Sequence, residues 1–216
     1  MVKINKRPLP AGVKITQPKH YREGIVFKML VEDCNEKCYI CEDSVHTSPN
    51  VEHRIARTND PSLKFDWNNL FLACSHCNGI KGSNYSEIID PSKVDPEEFI
   101  ELSVSTDDEI RLFVVAEKIK GDDDVDTTIK LLHDVYNGAK TDIKKFTCFN
   151  LKQKLNKDLT KFRQLIEGFQ ENPNNDSKEA IKSELSDKSL FSAFKRNIVR
   201  SNLKLHKEFN QLPHTP

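Results

Sequence analysis

The sequence predicts an α+β protein: a small cysteine-bound segment, then a β-hairpin and a mainly α-helical C-terminal region. Three patterns carry that expectation. Two Cys-x-x-Cys pairs, Cys38/Cys41 and Cys74/Cys77, sit in a stretch (34–85) that is short, irregular and rich in Cys, His, Asn and Gly. Such a stretch cannot fill a large apolar core, so a bound metal is expected to hold it. Two β-branched apolar runs, residues 99–104 and 110–115, flank a Thr-Asp-Asp turn, which is a hairpin pattern. From Asp126 onward apolar residues recur at steps of three and four, the period of a helix face.

The elements follow in order. Residues 1–20 place Pro8, Pro10 and Pro18 among basic residues and read as an extended arm. Ile25, Val26, Met29 and Leu30 have helical spacing in a helix over 21–33 that ends just before Cys34. Pro91 and Pro96 mark a linker. Ile129, Leu132 and Val135 predict a short helix ending near Gly138. Leu151, Leu155, Leu159, Phe162, Ile166 and Phe169 form one face of a long helix, broken at 172–176. Phe191, Phe194, Ile198, Leu205 and Phe209 fall on one face of a last helix. The expected division is a basic arm and short helix (1–33), a metal-bound core (34–90), and a hairpin with helices (91–216).

Of the 216 residues, 37% are hydrophobic and 31% charged, a polar but globular balance rather than a disordered one. No apolar run is long enough to span a bilayer, and residues 1–16 lack the apolar region of a signal peptide. A cytosolic, membrane-free location is therefore expected, and with it reduced cysteines that act as metal ligands or free thiols. The net charge of zero is segregated. Residues 1–30 carry seven bases and one acid, residues 86–126 fourteen acids and four bases, and residues 127–216 seventeen bases and ten acids. A basic arm and a basic tail are what phosphate binding needs. The acidic middle would repel nucleic acid, and is expected to face away from it or toward a protein partner.

The two cysteine pairs are separated by thirty-two residues. Paired thiolates two residues apart grip one ion from a tight turn, and four of them suit tetrahedral zinc. Cys38, Cys41, Cys74 and Cys77 leave no open coordination position, so this zinc is expected to be structural. Cys34 and Cys148 read as buried free thiols. Between and beside the pairs lie Val51-Glu52-His53-Arg54, Asp66-Trp67-Asn68-Asn69-Leu70 and Asn78-Gly79-Ile80-Lys81-Gly82. Glu52 and His53 supply a carboxylate and a base, and Asn78 a neutral oxygen. Oxygen donors suit a hard cation such as Mg²⁺ or Mn²⁺. A neutral imidazole can take a proton from water while a divalent ion stabilises charge on a phosphate. Together they fit phosphodiester hydrolysis.

Residues 38–81 resemble the HNH endonucleases whose pattern is CxxC, then EH or DH, then NL, then CxxCN with a nearby Lys. The resemblance implies a ββα-metal fold around one catalytic ion. It makes His53 the general base, Glu52 and Asn78 ligands to the catalytic divalent ion, and Asn69 the residue holding the loop that orients His53. Lys81 and Arg54 become candidate phosphate contacts. Adjacent strand residues face opposite ways, so Glu52 and His53 serve one site only if the strand ends or twists there. A narrower resemblance, over 51–82 and the layout of the tail, is to the HNH subunit of Septu-type anti-phage systems, also found in some retrons. It implies a nucleic-acid substrate, DNA first, and an ABC-type ATPase partner. In a retron setting it implies a reverse transcriptase with its msDNA, and RNA such as tRNA as the alternative substrate. The competing readings are a non-catalytic zinc-binding nucleic-acid module and a zinc-dependent redox or hydrolytic enzyme. Glu52, His53 and Asn78 argue against the first, and the four closed thiolates against the second.

Overall fold

A computed structural model describes residues 1–105, 109–115, 123–138 and 141–209. Two short helices, α1 (Pro18–Arg22) and α2 (Gly24–Asp33), precede a two-stranded antiparallel sheet of β1 (Pro49–His53) and β2 (Leu70–Cys74). Helix α3 (Ser75–Lys81) follows β2 directly, giving the ββα unit. A second antiparallel pair, β3 (Ile100–Val104) and β4 (Ile110–Val114), is the expected hairpin; its Thr-Asp-Asp turn lies outside the described residues. Among the described residues five helices follow: α4 (Asp123–Asn137), α5 (Asp142–Glu171), α6 (Asn175–Leu185), α7 (Ser192–Arg200) and α8 (Leu203–Phe209).

The ββα unit is stapled as its sequence suggests. The register pairs Glu52 with Phe71 and His53 with Leu70, and every residue of β2 is buried. Cys74 caps α3 by accepting the Cys77 amide at 3.4 Å, so the second cysteine pair closes the turn from strand to helix. The first pair sits in a turn whose exit residue, Glu42, adopts φ 61. Left-handed backbone is unfavourable for a glutamate, and here buried contacts hold it. Its carboxylate accepts from the Met1 ammonium (2.9 Å), the Ser192 hydroxyl (3.0 Å) and the Ala193 amide (3.2 Å).

The cysteine segment does not stand apart from the C-terminal helices. Tyr39, Phe71 and Leu72 belong to one buried cluster with Leu131, Leu132, Tyr136, Leu155 and Phe194. The Tyr136 hydroxyl donates to the Cys41 carbonyl at 2.9 Å, tying α4 to the first cysteine turn. A second cluster joins Tyr21, Met29 and Leu30 to Trp67 and Leu70, and a third joins α5, α6, α7 and α8 through Phe162, Ile181, Val199 and Leu205.

Several expectations are corrected. The predicted 21–33 helix begins earlier and is broken at Glu23, where extended backbone (φ −139, ψ 166) separates α1 from α2. The N-terminal arm is irregular but packed, with Met1, Val2 and Ile4 buried and the Ile4 amide donating to the Pro91 carbonyl at 2.8 Å. Its charges are used internally. The Lys6 ammonium lies 4.2 Å over the Trp67 ring and donates to the Trp67 and Leu70 carbonyls, and Arg7 pairs with Asp33 and Glu32. The single last helix is two, because Asn202 caps a new start by accepting from the Lys204 and Leu205 amides. Phe191 precedes α7 in left-handed backbone. Helix α6 was not foreseen. The Asn-rich run that ends α5 also starts it, since the Asn174 side chain accepts the Ser177 amide at 2.9 Å.

Candidate active site

Strand β1 ends at His53, and the side chains of its last two residues diverge as the strand pleat requires. The Glu52 carboxylate turns inward to α3, where the Lys81 ammonium donates to Oε1 at 2.8 Å. The His53 ring turns toward α1 and the connection between the strands. It meets the Tyr21 ring edge-on, with centroids 5.6 Å apart, and its Nε2–H donates to the Lys64 carbonyl at 2.9 Å. That hydrogen bond fixes the tautomer and leaves Nδ1 with its lone pair. Burial lowers the His53 pKa from 6.5, helped by the charges of Arg57, Lys81 and Lys64 and opposed by the Lys64 carbonyl. The ring is therefore neutral at pH 7, as a base must be.

Asn69 holds the loop that holds His53. Its side chain is buried, accepts the Ile55 amide at 2.8 Å, and donates to the Ile55 and Leu63 carbonyls at 2.9 and 3.2 Å. It thus crosslinks both ends of the connection that presents the Lys64 carbonyl. An asparagine suits this place because one amide both donates and accepts.

Both Glu52 and His53 line a groove of about 770 Å³ together with Tyr21, Arg22, Arg57 and Asn78. The Asn78 side chain meets no hydrogen-bond partner among the described residues and comes to the groove from α3. One carboxylate and one amide oxygen make a sparse set, which suits a hard divalent ion that keeps several waters. Burial raises the Glu52 carboxyl above its ordinary 4.5, and the Lys81 ammonium opposes the rise.

The two expected phosphate contacts lie elsewhere. Lys81 is fully buried and its ammonium also donates to the His53 carbonyl at 2.8 Å. Arg54 donates to the Ile88 carbonyl at 2.8 Å and its guanidinium lies 3.5 Å from Asp90. Both are tied down inside the protein. The exposed cations at the groove are Arg22 and Arg57, which motif spacing did not single out. No local signal could have found them, because exposure and nearness to the groove are set by the fold.

The four thiols of Cys38, Cys41, Cys74 and Cys77 converge, all within 4.8 Å of one another and all buried. Tetrahedral zinc with bonds of about 2.3 Å places its sulfurs roughly 3.8 Å apart, and Cys41 and Cys74 are separated by 3.9 Å. The set fits such an ion and leaves it no open position. Burial pushes the Cys77 thiol well above its usual pKa, so a cation is what would keep that sulfur as a thiolate. The leftover cysteines behave as free thiols. Burial raises Cys34 to about 12, and Cys148 donates to the Val135 and Gly138 carbonyls.

Comparison with known proteins agrees with this architecture. Residues 38–84 match the family model for HNH endonuclease. The Septu protein PtuB of Bacillus thuringiensis is 35% identical over 79 residues, a match covering 34% of this chain and 31% of that protein. The match thus spans about a third of the relative's length. No solved structure matches. With the cysteine cluster, the strand pair and the following helix in place, residues 38–84 correspond to an HNH endonuclease domain, and the chain is similar to the Septu protein PtuB over about a third of its length.

Proposed function

We propose that this chain is a metal-dependent endonuclease that hydrolyses phosphodiester bonds, DNA first. We propose further that it works in the cytoplasm as the nuclease of an anti-phage defence complex with an ABC-type ATPase. The observation that carries the catalytic reading is the His53 ring at the groove, its Nε2–H on the Lys64 carbonyl and its Nδ1 left as a base. In this reading Nδ1 takes a proton from the attacking water. Asn69 keeps the loop, and so the ring, in place. Glu52 and Asn78 would hold Mg²⁺ or Mn²⁺, which when bound stabilises charge on the phosphate and the leaving oxygen. Zinc in the four-cysteine site is structural.

The partner reading has separate support. Ile143, Phe146 and Phe149 lie along the first turns of α5 with 79, 65 and 55% of their surface exposed. Lys144 and Lys145 flank them. Large apolar residues clustered on a surface are characteristic of protein interfaces. The proposed occupant is the ATPase subunit, presenting an apolar patch rimmed by carboxylates.

The test uses the full chain with its ATPase, supplied with Mg²⁺ or Mn²⁺ and either plasmid DNA or RNA. His53→Ala is expected to slow cleavage by at least about 10²-fold, with zinc content and circular dichroism unchanged. Cleavage by the variant at the parental rate would overturn the mechanism. Cleavage of RNA alone would overturn the choice of DNA.

A further inference from the structure

The groove beside His53 is lined by two cations that the mechanism above does not use. Arg22 comes from the end of α1 and Arg57 from the connection after β1, so they reach the groove from different elements. Both are exposed. Among the described residues neither makes an ion pair or a hydrogen bond, apart from the Arg22 guanidinium lying 6.0 Å from the Tyr21 ring centre. Three other basic residues near the site are tied to acceptors within the protein, while Lys64 lies over the Phe65 ring. Lys81 is committed to Glu52, Arg54 to Asp90 and the Ile88 carbonyl, and Lys6 to two backbone carbonyls. Two guanidiniums left unneutralised at one concave surface favour an anionic ligand, and their planar donor forks match phosphate oxygens.

A third observation comes from Tyr21 itself. The residue is 1% exposed and lines the groove, yet its hydroxyl has no hydrogen-bond partner among the described residues. A buried hydroxyl without a partner carries a desolvation cost that an arriving acceptor would remove.

We infer that Arg22, Arg57 and the Tyr21 hydroxyl form the subsite that grips the phosphodiester backbone of the nucleic acid, and that Lys81 is an internal positioning cation that touches no phosphate. This rests on the nuclease reading and assigns the contacts by which that site holds its substrate. Lys81 instead spans the Glu52 carboxylate and the His53 carbonyl, fixing the backbone at the point where the two side chains diverge.

The salt dependence of binding separates these roles. Each phosphate contact releases counterions, so removing one cation that touches a phosphate lowers the slope of log K against log salt by about one. The experiment uses full-length His53→Ala protein, which keeps the groove without cleaving, and measures fluorescence anisotropy with a labelled DNA duplex and a labelled RNA across a potassium chloride series. Arg57→Gln and Arg22→Gln are expected to lower the slope by about one each, and both together by about two. Tyr21→Phe is expected to weaken binding at every salt concentration while leaving the slope unchanged, because a neutral donor carries no charge. Lys81→Met is expected to leave the slope unchanged. The Lys81→Met/Glu52→Gln double variant repeats that measurement without a buried unpaired carboxylate, should the single variant fold poorly.

An unchanged slope in both arginine variants, or a drop of about one in a Lys81 variant, overturns the assignment. If the arginine variants bind like the His53→Ala protein, and the same substitutions with His53 intact cleave like the parent, the subsite is wrong and the nuclease reading stands. If the parent neither binds nor cleaves DNA or RNA, both fall.

Discussion

At the scale of single residues, the molecule shows how one cation type takes different roles by burial alone. Lys6 is enclosed by Trp67 and Phe71, and burial lowers its pKa from 10.5 to about 8, partly offset by Cys34, Asp90 and other acids nearby. Between those two values the unfolded chain binds the proton that the folded chain has lost, so stability rises with pH across that window. Full separation of the two values corresponds to roughly 3 kcal/mol, an upper bound for a group that retains some solvent contact. Denaturant titrations at pH 7.5 and 10 are expected to show a smaller gain for Lys6→Met than for the parent. Equal gains would mean that Lys6 is not held charged and buried. Glu52, His53 and Asn78 were legible as candidates for one site because their chemistry and order are written in the chain, and the structure brings all three to one groove. That Lys81 turns inward while Arg57 stays out was not, since both are basic residues close to an acid or a base in sequence.

At the scale of elements, the best-foreseen parts are those whose pattern is local. Helix α5 follows its apolar period through Leu151, Leu155, Leu159, Phe162 and Ile166, all buried. The β3–β4 pair follows its alternation, with Ile100 and Leu102 buried on one strand. Helix α6 was missed because only Ile181 and Leu185 are buried in it, too few to show a period. The α7–α8 break was missed because a turn of two residues hardly disturbs a spacing of three and four. The proposed dependence of the ββα unit on its cysteines can be measured. Cys77→Ser is expected to abolish the bound zinc, one per chain in the parent, and to cost several kcal/mol, read as a melting temperature lower by 10 °C or more. Parent protein that contains no zinc and melts with the variant would remove the metal from the account.

At the scale of the whole molecule, part of the segregated charge of the sequence is paired inside the fold. Glu97, from the acidic stretch, is buried between Arg196 and Arg200 of the basic tail. Asp90 pairs with Arg54, and Asp43 beside the first cysteine turn pairs with Lys154 of α5. The pair of Glu97 with Arg196, largely buried on both sides, is costly to break from one side, and all of these pairs join segments that are far apart in the chain. The same helices complete the core around Tyr39 and Phe71, which is why removing the tail would expose the cysteine segment rather than isolate it. Point changes on the surface test partner docking more cleanly. The double variant Ile143→Ser and Phe146→Ser is expected to lose co-purification with the proposed ABC-type ATPase while keeping the parent's metal content and melting temperature, because both residues are exposed. Retained co-purification would place the interface elsewhere.

By itself the sequence determined the chemistry and the local geometry. Two cysteine pairs are spaced to share a soft cation, a carboxylate and a histidine adjoin at a strand end, and the helix periods follow from which residues are apolar. These are legible because they depend on residue type and short spacing, which a chain carries whether or not it is folded. The tertiary structure alone decided which charges remain available. Arg54 and Lys81 are neutralised by Asp90 and Glu52, which lie 36 and 29 positions away, whereas Arg22 and Arg57 converge on one groove from separate elements. Burial and long-range pairing set the energy of a charge, and neither exists until segments distant in sequence are packed together.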